Sequence, residues 1–404
     1  MKQTPWIALL IILSNSGICL AQTGQVSIDP GAVGKAHPSP YNLYGAQYPR
    51  IEADSRVTFR FKAPNAQNVQ VAIASLAYDM VKGDSGVWTY TSEPQDAGYH
   101  NYWMIVDGTI VLDPATNAFI GYSHMCNGFE IPDPDGGFYA LRDVPHGDVL
   151  IRNYFSRTTS AWRHVFIYTP PGYERDTSTR YPVLYLQHGG GEDERVWIEM
   201  GRTNVILDNL IAEGKVRPFI VVMETSAAYK PGETPPPPRP APAAAPAQAA
   251  QPGQPAAGAQ PAAAARPRFS FDTYRELMIS DLIPFVDASF RTLSDGRNRA
   301  MAGLSMGGMV TRTVTLANLD KFSHIGIFSG GTIAPADITD KTNVELVFMS
   351  YGSRERGADN LKSAADVLQQ AGIRSVSYVS PNTAHEWQSW RRSLREFAPL
   401  LFKD

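Results

Sequence analysis

The residues with the clearest chemical signature in this chain lie in the pentapeptide Gly303-Leu-Ser-Met-Gly307. An apolar stretch, Arg299–Ala302, precedes it, and a run compatible with a helix, Met309–Asn318, follows it. A Gly-x-Ser-x-Gly turn between a strand and a helix lifts the serine hydroxyl clear of the sheet, because the glycines allow a turn too tight for larger side chains. The N-terminus of the following helix favours developing negative charge. The pattern predicts that Ser305 is a nucleophile.

A serine hydroxyl is a weak nucleophile unless a base removes its proton, and in this arrangement the base follows the serine along the chain. Two histidines lie downstream, His324 and His385. His324 begins an apolar run of strand length, which is typical of a structural histidine. His385 lies in a loop after the strand-like segment Ser377-Tyr-Val379, just before a helical run that starts at Trp387. We therefore predict that His385 is the base.

A carboxylate is needed to orient His385 and to stabilise its imidazolium. The loop after the apolar run Val344–Met349 contains two candidates, Glu355 and Asp359. Glu355 lies nearer the end of the predicted strand, whereas Asp359 is also placed to cap the helix that follows. We predict Glu355 as the acid and keep Asp359 as the alternative.

A glycine run, His188-Gly-Gly-Gly191, follows the apolar stretch Val183–Gln187. Glycines in such a loop let backbone N–H groups approach a substrate oxygen. Together with the N–H of Met306, they predict an oxyanion hole. The alternative interpretation is a flexible loop without a chemical role.

From about residue 151 onward, apolar runs of strand length alternate with helical runs. This alternation predicts a mostly parallel sheet with helices on both faces. The strand-length runs are His164–Tyr168, Val183–Gln187, Phe219–Met223, Arg299–Ala302, Ile325–Phe328 and Val344–Met349. The helical runs are Thr203–Ala212, Tyr274–Phe290 and Asn360–Ala371.

Residues 26–143 predict a different, all-β unit. Val57–Phe61 and Val69–Ile73 alternate apolar and polar residues with the period of two that is typical of half-buried strands. Asp107-Gly108, directly after the strand-like run Tyr99–Val106, is a hairpin-turn signal. Short strands at this spacing predict a small immunoglobulin-like β-sandwich.

Residues 231–267 interrupt the second unit and consist almost entirely of Pro, Ala, Gln and Gly. Such a segment buries too little apolar surface to offset its ordering entropy, which predicts a disordered insertion. The insertion does not separate domains, because the predicted sheet takes strands from both sides of it.

The N-terminus predicts an exported protein. Lys2 supplies a positive start, Trp6–Leu13 is the apolar stretch, and Cys19-Leu-Ala21 fits a cleavage site after Ala21. A lipid anchor on Cys19 is the alternative, and Ile18 before it disfavours that choice. After cleavage Cys126 is the one remaining cysteine, which excludes an intramolecular disulfide.

The composition and motifs narrow the classes of partner. Hydrophobic residues make up 43% of the 404 residues, enough for a large core, and the formal net charge is -3. This charge balance gives no reason to expect nucleic acid or an anionic membrane as a partner. The sequence contains no Walker motif, zinc-ligand pair or dinucleotide fingerprint, so neither a metal nor a cofactor is expected.

Residues from about 151 to 402 resemble the esterase D-type branch of the α/β-hydrolases, and most of all carbohydrate esterase family one, which includes feruloyl and acetyl-xylan esterases. The matching segments are Tyr185–Trp197, Asn204–Gly214, Asp281–Pro284, Ala302–Gly308 and Ala384–Trp390.

This resemblance implies an α/β-hydrolase sheet, with Ser305 as nucleophile, His385 as base, and the Gly190 and Met306 amides as the oxyanion hole. Within the matching segments, Trp197 and Trp387 are expected to bind substrate. The family usually has aspartate at the position matched to Glu355, and glutamate is one methylene longer.

The N-terminal unit resembles the E-set class, of the carbohydrate-binding module family 48 type. The match rests on Val57–Ala66, Gly86–Trp88, Val106–Gly108 and Leu112–Pro114. Trp88 and Trp103 are candidates for sugar stacking, but the alternation of their strands favours core packing.

Together, these resemblances imply an exported serine esterase that forms an acyl-enzyme and removes feruloyl or acetyl groups from xylan-type plant polysaccharide. One alternative is an acyltransferase like the mycolyltransferases, which passes the acyl group to a sugar hydroxyl. The other is a catalytically silent glycan-binding protein, against which the complete set of Ser305, His385 and the glycine loop argues.

Overall fold

The computed structural model describes residues 27–233, 245–246 and 271–403. The signal peptide predicted for residues 1–21 lies outside the described residues, as does most of the Pro/Ala-rich insertion predicted for residues 231–267. Within the insertion, Ala245–Pro246 pair in parallel with Leu76 and Ala77. Disorder of the insertion therefore stays a prediction.

Two sheets form the N-terminal part of the fold, residues 27–131, which we call the β-domain. The first sheet has the strand order β1-β2-β3-β7-β6. The second has the order β10-β11-β8-β4-β5-β16, with β9 paired to β8. The strands of the β-domain are β1 His37–Pro38, β2 Arg50–Ile51, β3 Val57–Lys62, β4 Val69–Ile73, β5 Leu76–Asp79, β6 Val81–Lys82, β7 Val87–Thr91, β8 Gly98–Val106, β9 Thr109–Val111, β10 Ala118–Gly121 and β11 His124–Ile131.

The two sheets of the β-domain pack face to face around one core. Val57 and Phe59 of the first sheet share it with Val71, Met104 and Phe129 of the second. The alternating pattern of β3 produces this arrangement, because every second side chain points inward. The E-set classification of this sandwich stays a prediction.

Two further features of the β-domain follow the sequence pattern. Asp107 and Gly108 adopt φ values of 48° and 84°, the left-handed conformations that a two-residue hairpin turn requires. Trp88 and Trp103 are 6% and 0% exposed, so both indoles pack in the core, as the alternation of their strands favoured.

The rest of the chain builds an eight-stranded sheet with the order β12-β13-β15-β14-β17-β18-β19-β20. The six strands from β15 onward in this order are mutually parallel, whereas β12 pairs with β13, and β13 with β15, in antiparallel fashion. These strands, with β16 of the second sheet, are β12 Asp148–Ser156, β13 Ala161–Thr169, β14 Val183–Gln187, β15 Ile220–Met223, β16 Ala245–Pro246, β17 Arg299–Leu304, β18 His324–Phe328, β19 Leu346–Gly352 and β20 Ser375–Ser380.

Helices cover both faces of this sheet. They are α1 Val196–Glu199, α2 Thr203–Ala212, α3 Asp272–Leu277, α4 Ile283–Ser289, α5 Met306–Leu316, α6 Leu361–Gln370 and α7 Trp387–Phe397. Leu207 of α2 and Leu394 of α7 belong to the core on one face, and Tyr274 of α3 and Val310 of α5 to the core on the other. The predicted mostly parallel sheet with two helical layers is confirmed. Across the described residues, no helix has the length and apolarity needed to cross a membrane.

One helix differs from its prediction. The single helical run Tyr274–Phe290 is divided into α3 and α4 by a π-helical turn at Met278–Leu282. Pro284 lies in the first turn of α4 and has no N–H to donate. The regular hydrogen-bond ladder is therefore interrupted at this point.

The parallel register brings several loops to one edge of the sheet. Gln187 at the end of β14 lies opposite Gly303, Leu304 at the end of β17 lies opposite Phe328, and Gly352 of β19 lies opposite Ser380. The loops that follow β14, β17, β19 and β20 therefore start side by side. These are the loops that carry the candidate residues of the site.

Candidate active site

Ser305 lies on a strained turn between β17 and α5, with φ 52° and ψ −116°. A non-glycine residue in this region of backbone space costs about 1–3 kcal/mol. Its N–H donates to the carbonyl of Phe328 at 2.7 Å, which holds the turn against β18. A Cβ on Gly303 would lie 2.4 Å from the backbone of Gly307, and one on Gly307 would lie 2.5 Å from the carbonyl oxygen of His188. Both glycines of the motif are therefore required by close backbone approach.

The imidazole of His385 lies between Ser305 and Glu355. Its Nε2 is 2.9 Å from Ser305 Oγ, and its Nδ1 is 2.7 Å from Glu355 Oε2. The structure thus brings together three residues from three different loops at the carboxyl edge of the sheet. Asp359, the alternative acid, is exposed and lies beyond the short 3-10 turn Arg356–Ala358. The geometry favours Glu355 as the partner of His385.

The carboxylate of Glu355 is held by two further donors besides His385. Its Oε1 accepts hydrogen bonds from Ser329 Oγ at 2.7 Å and from the N–H of Gly352 at 2.8 Å. Burial alone would raise the pKa of this carboxyl, but the hydrogen bonds from His385, Ser329 and Gly352 more than offset it, so the pKa is lowered. Glu355 therefore stays ionised beside the imidazole.

Behind this carboxylate, the indole N–H of Trp390 donates to Ser329 Oγ at 3.1 Å. Neither Ser329 nor Trp390 was expected from the sequence as a support of the site. A signal was present for Ser329, since Ser329-Gly-Gly331 follows the apolar strand β18 at the same edge of the sheet. The side-chain contact itself has no local signature in the sequence.

The glycine loop after β14 lies beside the start of α5. A Cβ built on Gly190 would be 3.9 Å from Met306 Cβ, and Gly190 itself is exposed. The N–H of Gly189 is occupied, because it donates to Glu192 Oε2 at 2.8 Å. The oxyanion hole formed by the amides of Gly190 and Met306 stays a prediction.

His188 fixes the base of this loop and is 3% exposed. Its Nδ1 lies 2.7 Å from the carbonyl of Gly189, and its Nε2 accepts the N–H of Ser226 at 3.2 Å. Burial lowers the pKa of this imidazole, so it is neutral, which fits one donating and one accepting ring nitrogen. His188 therefore acts as a structural tie between the loop and the segment after β15.

Glu192 is an unexpected carboxyl next to the glycine loop. It is partly buried, and its Oε2 accepts the Gly189 N–H. Burial raises its pKa to about 8. The Gly189 hydrogen bond lowers this pKa, and the nearby charge of Asp193 raises it by a smaller amount. The side chain of Glu192 thus folds back onto the glycines of the loop.

Comparison with models of known protein families shows to which family the chain belongs. Residues 156–400 match the model of the Esterase family, which is most of the chain and includes Ser305, Glu355 and His385. The chain belongs to this esterase family. The match confirms the assignment to the carboxylic ester hydrolases that the sequence motifs predicted.

Two curated relatives extend the comparison. The esterase is 36% identical over 376 residues to an endo-1,4-beta-xylanase/feruloyl esterase of Xylanibacter ruminicola, covering 91% of this chain and 47% of that protein. It is 26% identical over 308 residues to endo-1,4-beta-xylanase Y of Acetivibrio thermocellus, covering 68% of this chain and 24% of that protein. The chain therefore spans less than half the length of either relative.

Solved structures share the fold. A CE1 ferulic acid esterase from Anaeromyces mucronatus in complex with ferulic acid aligns with a TM-score of 0.53 at 19% identity, over 67% of this chain and 96% of that chain. The enterobactin esterase of Shigella flexneri in the presence of enterobactin aligns with a TM-score of 0.59 at 15% identity, over 85% of this chain and 92% of that chain. These likenesses support the α/β-hydrolase-type fold implied by the family resemblance.

Two side chains predicted to bind substrate lie in the core of the esterase instead. Trp197 and Trp387 are 1% and 3% exposed, and their rings meet edge to face at 5.4 Å. The Trp197 indole N–H donates to the carbonyl of Gln187 at 2.9 Å. Neither indole presents a face on which a sugar or an aromatic acid can stack. Their burial argues against the prediction of substrate contact and assigns both to packing behind the site.

Proposed function

We propose that the esterase hydrolyses carboxylic esters through an acyl-enzyme on Ser305. The observation that carries this proposal is the hydrogen-bonded line from Ser305 Oγ through His385 to Glu355. As Oγ attacks the ester carbonyl carbon, its proton passes to His385 Nε2, and the carbonyl becomes a tetrahedral oxyanion. His385 then gives this proton to the leaving alcohol oxygen, the bond from carbon to that oxygen breaks, and the acyl group remains on Ser305.

The second half of the cycle uses the same groups. His385 takes a proton from water, whose oxygen attacks the acyl carbon, and Oγ leaves with the proton as the carboxylic acid is released. In both halves the amides of Gly190 and Met306 donate to the oxyanion, and Met306 is the first residue of helix α5. His385 carries each proton in turn, from Ser305 to the leaving alcohol and from water back to Ser305, so the cycle restores the starting state.

We propose feruloyl or acetyl groups on xylan-type plant polysaccharide as the substrate. The name of the Xylanibacter relative joins xylanase with feruloyl esterase, and the Anaeromyces structure holds ferulic acid. The exposure of the site is consistent with a bulky substrate, since 48% of the His385 side chain is accessible. The assembled line of Ser305, His385 and Glu355 favours an enzyme over a silent glycan-binding protein.

Purified esterase assayed with methyl ferulate, an acetylated xylo-oligosaccharide and a glucuronoyl ester tests the proposal. We expect free ferulate or free acetate, released in equal amount with the alcohol. Turnover of the glucuronoyl ester alone would overturn the substrate assignment. Transfer of the acyl group to an added sugar, without free acid, would replace hydrolysis by acyl transfer.

A first prediction concerns pH. As pH rises through about 8, Glu192 ionises beside the glycine loop, and its negative charge opposes the charge that develops on the oxyanion. We expect kcat/KM to fall by roughly tenfold above that pH, in line with a like charge at close range. Glu192→Gln keeps an acceptor for the Gly189 N–H but carries no charge, so its profile should stay flat up to pH 9.

The same ionisation affects stability. The pKa of Glu192 in the folded protein is raised from 4.5 to about 8. Its contribution to the free energy of unfolding is therefore fully present below pH 4.5 and is lost as pH rises through about 8. Glu192→Gln should therefore melt at a higher temperature than the wild type at pH 9. Asp193→Asn, which removes a neighbouring charge, is the control. The melting temperature of this variant should still decline at alkaline pH. An unchanged decline in Glu192→Gln would show that Glu192 does not cause it.

We also propose that the esterase is exported by a signal peptide cleaved after Ala21, on the basis of Lys2, the apolar stretch Trp6–Leu13 and the small residues before the cleavage site. N-terminal sequencing of the protein recovered outside the cytoplasm of its host should begin at Gln22. A first residue of Met1, or a lipid on Cys19, would contradict this prediction.

A further inference from the structure

The β-domain reaches the glycine loop of the site through one turn. This turn, Tyr122–Ser123, joins β10 to β11, and both residues adopt left-handed φ values of 54° and 67°. The N–H of Ser123 donates to the carbonyl of Gly191 at 3.0 Å. Gly191 directly follows Gly190, whose amide is a proposed oxyanion donor. A backbone group of the β-domain is therefore bonded one residue away from this proposed oxyanion donor.

The contact between the turn and the loop is close. Gly191 has φ 77°, and a Cβ at this position would lie 2.6 Å from the nitrogen and 2.7 Å from the Oγ of Ser123. Both the conformation and the neighbour therefore require glycine at residue 191. The third glycine of the loop is explained by the β-domain turn rather than by the substrate.

The β-domain also contacts the loop after β19 and helix α7. Asp96 forms an ion pair with Arg354, the residue before Glu355. Glu130 of β11 pairs with Arg391 of helix α7, which begins two residues after His385. The β-domain thus contacts the glycine loop, the loop that carries Glu355 and the helix that follows His385.

The pair of Glu130 and Arg391 is fully buried. The guanidinium donates to the two carboxylate oxygens at 2.7 and 3.2 Å and to the carbonyl of Met200 at 2.8 Å. It also lies over the ring of Tyr139, 4.5 Å from the centroid. A buried charge with so many partners fixes the orientation of α7, because moving it would leave the charge unpaired.

The surfaces around these contacts form one shared core. Tyr41, Tyr99 and Phe119 of the β-domain belong to the same hydrophobic cluster as Trp197 and Trp387 behind the site. Interfaces between domains that move relative to each other are mostly polar, whereas this interface includes a shared apolar core. The two units therefore pack as one body around the site.

We propose that the β-domain is a positioning part of the catalytic unit, and that the turn Tyr122–Ser123 holds the glycine loop so that the Gly190 amide points at the oxyanion. This inference rests on the proposed function. An oxyanion donor acts only at hydrogen-bond distance, so a small displacement of the loop weakens the transition state more than the bound ester. The β-domain should therefore matter for small soluble esters that contain no sugar.

The test compares two serine-to-proline variants of the full chain. Ser123→Pro removes the N–H that donates to the carbonyl of Gly191, and proline cannot adopt the left-handed φ of the turn. Ser85→Pro is the matched control, since Ser85 is also exposed, also left-handed at φ 61°, and lies in the first sheet between β6 and β7. Ser123→Gly is the conservative variant, because glycine keeps the N–H and tolerates the φ.

The substrate of the test is methyl acetate or methyl ferulate, so that binding of polysaccharide plays no part. We expect Ser123→Pro to lower kcat by about tenfold or more, with KM changed less than about threefold. Complete removal of one oxyanion donor lowers kcat by about 10²- to 10³-fold, and displacement of the donor should have a smaller effect. Ser123→Gly should recover most of this loss, and Ser85→Pro should keep the wild-type kcat. Equal effects of the two proline variants, or none, would overturn the proposal.

A second measurement on the wild type covers the case in which Ser123→Pro does not fold. A phenylboronic acid forms a tetrahedral adduct with an active serine and occupies its oxyanion hole. We expect this adduct to slow deuterium uptake in the peptide that contains Tyr122–Ser123 and to leave the peptide around Ser85 unchanged, since coupling between two sites is reciprocal. Unchanged uptake at Tyr122–Ser123 would overturn the positioning role. If the wild type neither hydrolyses the esters nor binds the boronic acid, the proposed function fails instead.

Discussion

Replacement of Ser305 by alanine is expected to lower kcat/KM for an activated acetyl ester by about 10⁴-fold or more, with little change in the fold. The hydroxyl is the nucleophile, and without it His385 has no proton to accept in the first step. Removal of the nucleophile from a Ser-His-acid set has an effect of this size in related chemistry. Alanine keeps the Cβ of serine, so the strained φ of 52° at this turn gains no new clash.

Initial rates and thermal melting of the same preparation check this expectation. Ser160→Ala is the matched control, because Ser160 is an exposed serine with the same φ of 52°, in the turn between β12 and β13. The control should keep full activity. Activity of Ser305→Ala within a hundredfold of the wild type, in a preparation free of contaminating esterase, would move the nucleophile elsewhere.

Much of the sheet was predictable because its central strands are buried on both faces. Continuous apolar runs with polar or glycine boundaries mark such strands, and β14 Val183–Gln187 has the predicted bounds. In the β-domain, β4 Val69–Ile73 was predicted at its observed bounds from the alternation of apolar and polar residues. Helix α2, Thr203–Ala212, was also predicted at its observed bounds. Helix α3 was predicted too long, because apolar periodicity continues through Pro284 while the hydrogen-bond ladder does not.

The grouping of Ser305, Glu355 and His385 was predictable for a reason of topology. Parallel strands have their carboxyl ends at one edge, so residues far apart in sequence meet if each follows a strand. The partners of these residues were not predictable in the same way. The contact of Ser329 with Glu355 depends on rotamers, and Glu130 pairs with Arg391 across 261 residues of sequence with no local pattern in either segment.

The inward orientation of Trp197 and Trp387 differs from their predicted contact with substrate. Trp197 and Trp387 lie beside chemically important loops, which made substrate contact a reasonable expectation. Helices α1 and α7 turn both indoles inward, into the core shared with the β-domain. The pattern of the four-residue helix α1 is too short to indicate which of its faces meets the core. Helix α7 is longer, and the spacing of Trp387, Trp390, Leu394 and Phe397 along it is a signal of one inward face.

The second large effect on activity is expected when Glu355, the proposed acid, is replaced. Glu355→Gln should lower kcat by roughly 10³- to 10⁴-fold, while Asp359→Asn should stay within about twofold of the wild type. The measurement is kcat for a small activated ester at neutral pH, with thermal melting to confirm that both variants fold. Asp359 lies in the same loop and is exposed, so it is a matched control for loss of one carboxylate.

The size of this effect follows from the fixed donors around Glu355. The Gly352 N–H at 2.8 Å cannot reverse its direction, so the glutamine must place its carbonyl oxygen where Oε1 now lies. Its NH₂ group then faces His385 Nδ1 at the former Oε2 position, 2.7 Å away, and donates to it. This forces the proton of the neutral imidazole onto Nε2, where it points at Ser305 and blocks uptake of the hydroxyl proton. Glu355→Asp, with an ionised but shorter side chain, should lose far less than Glu355→Gln, whereas equal loss in Asp359→Asn would return the acid role to Asp359.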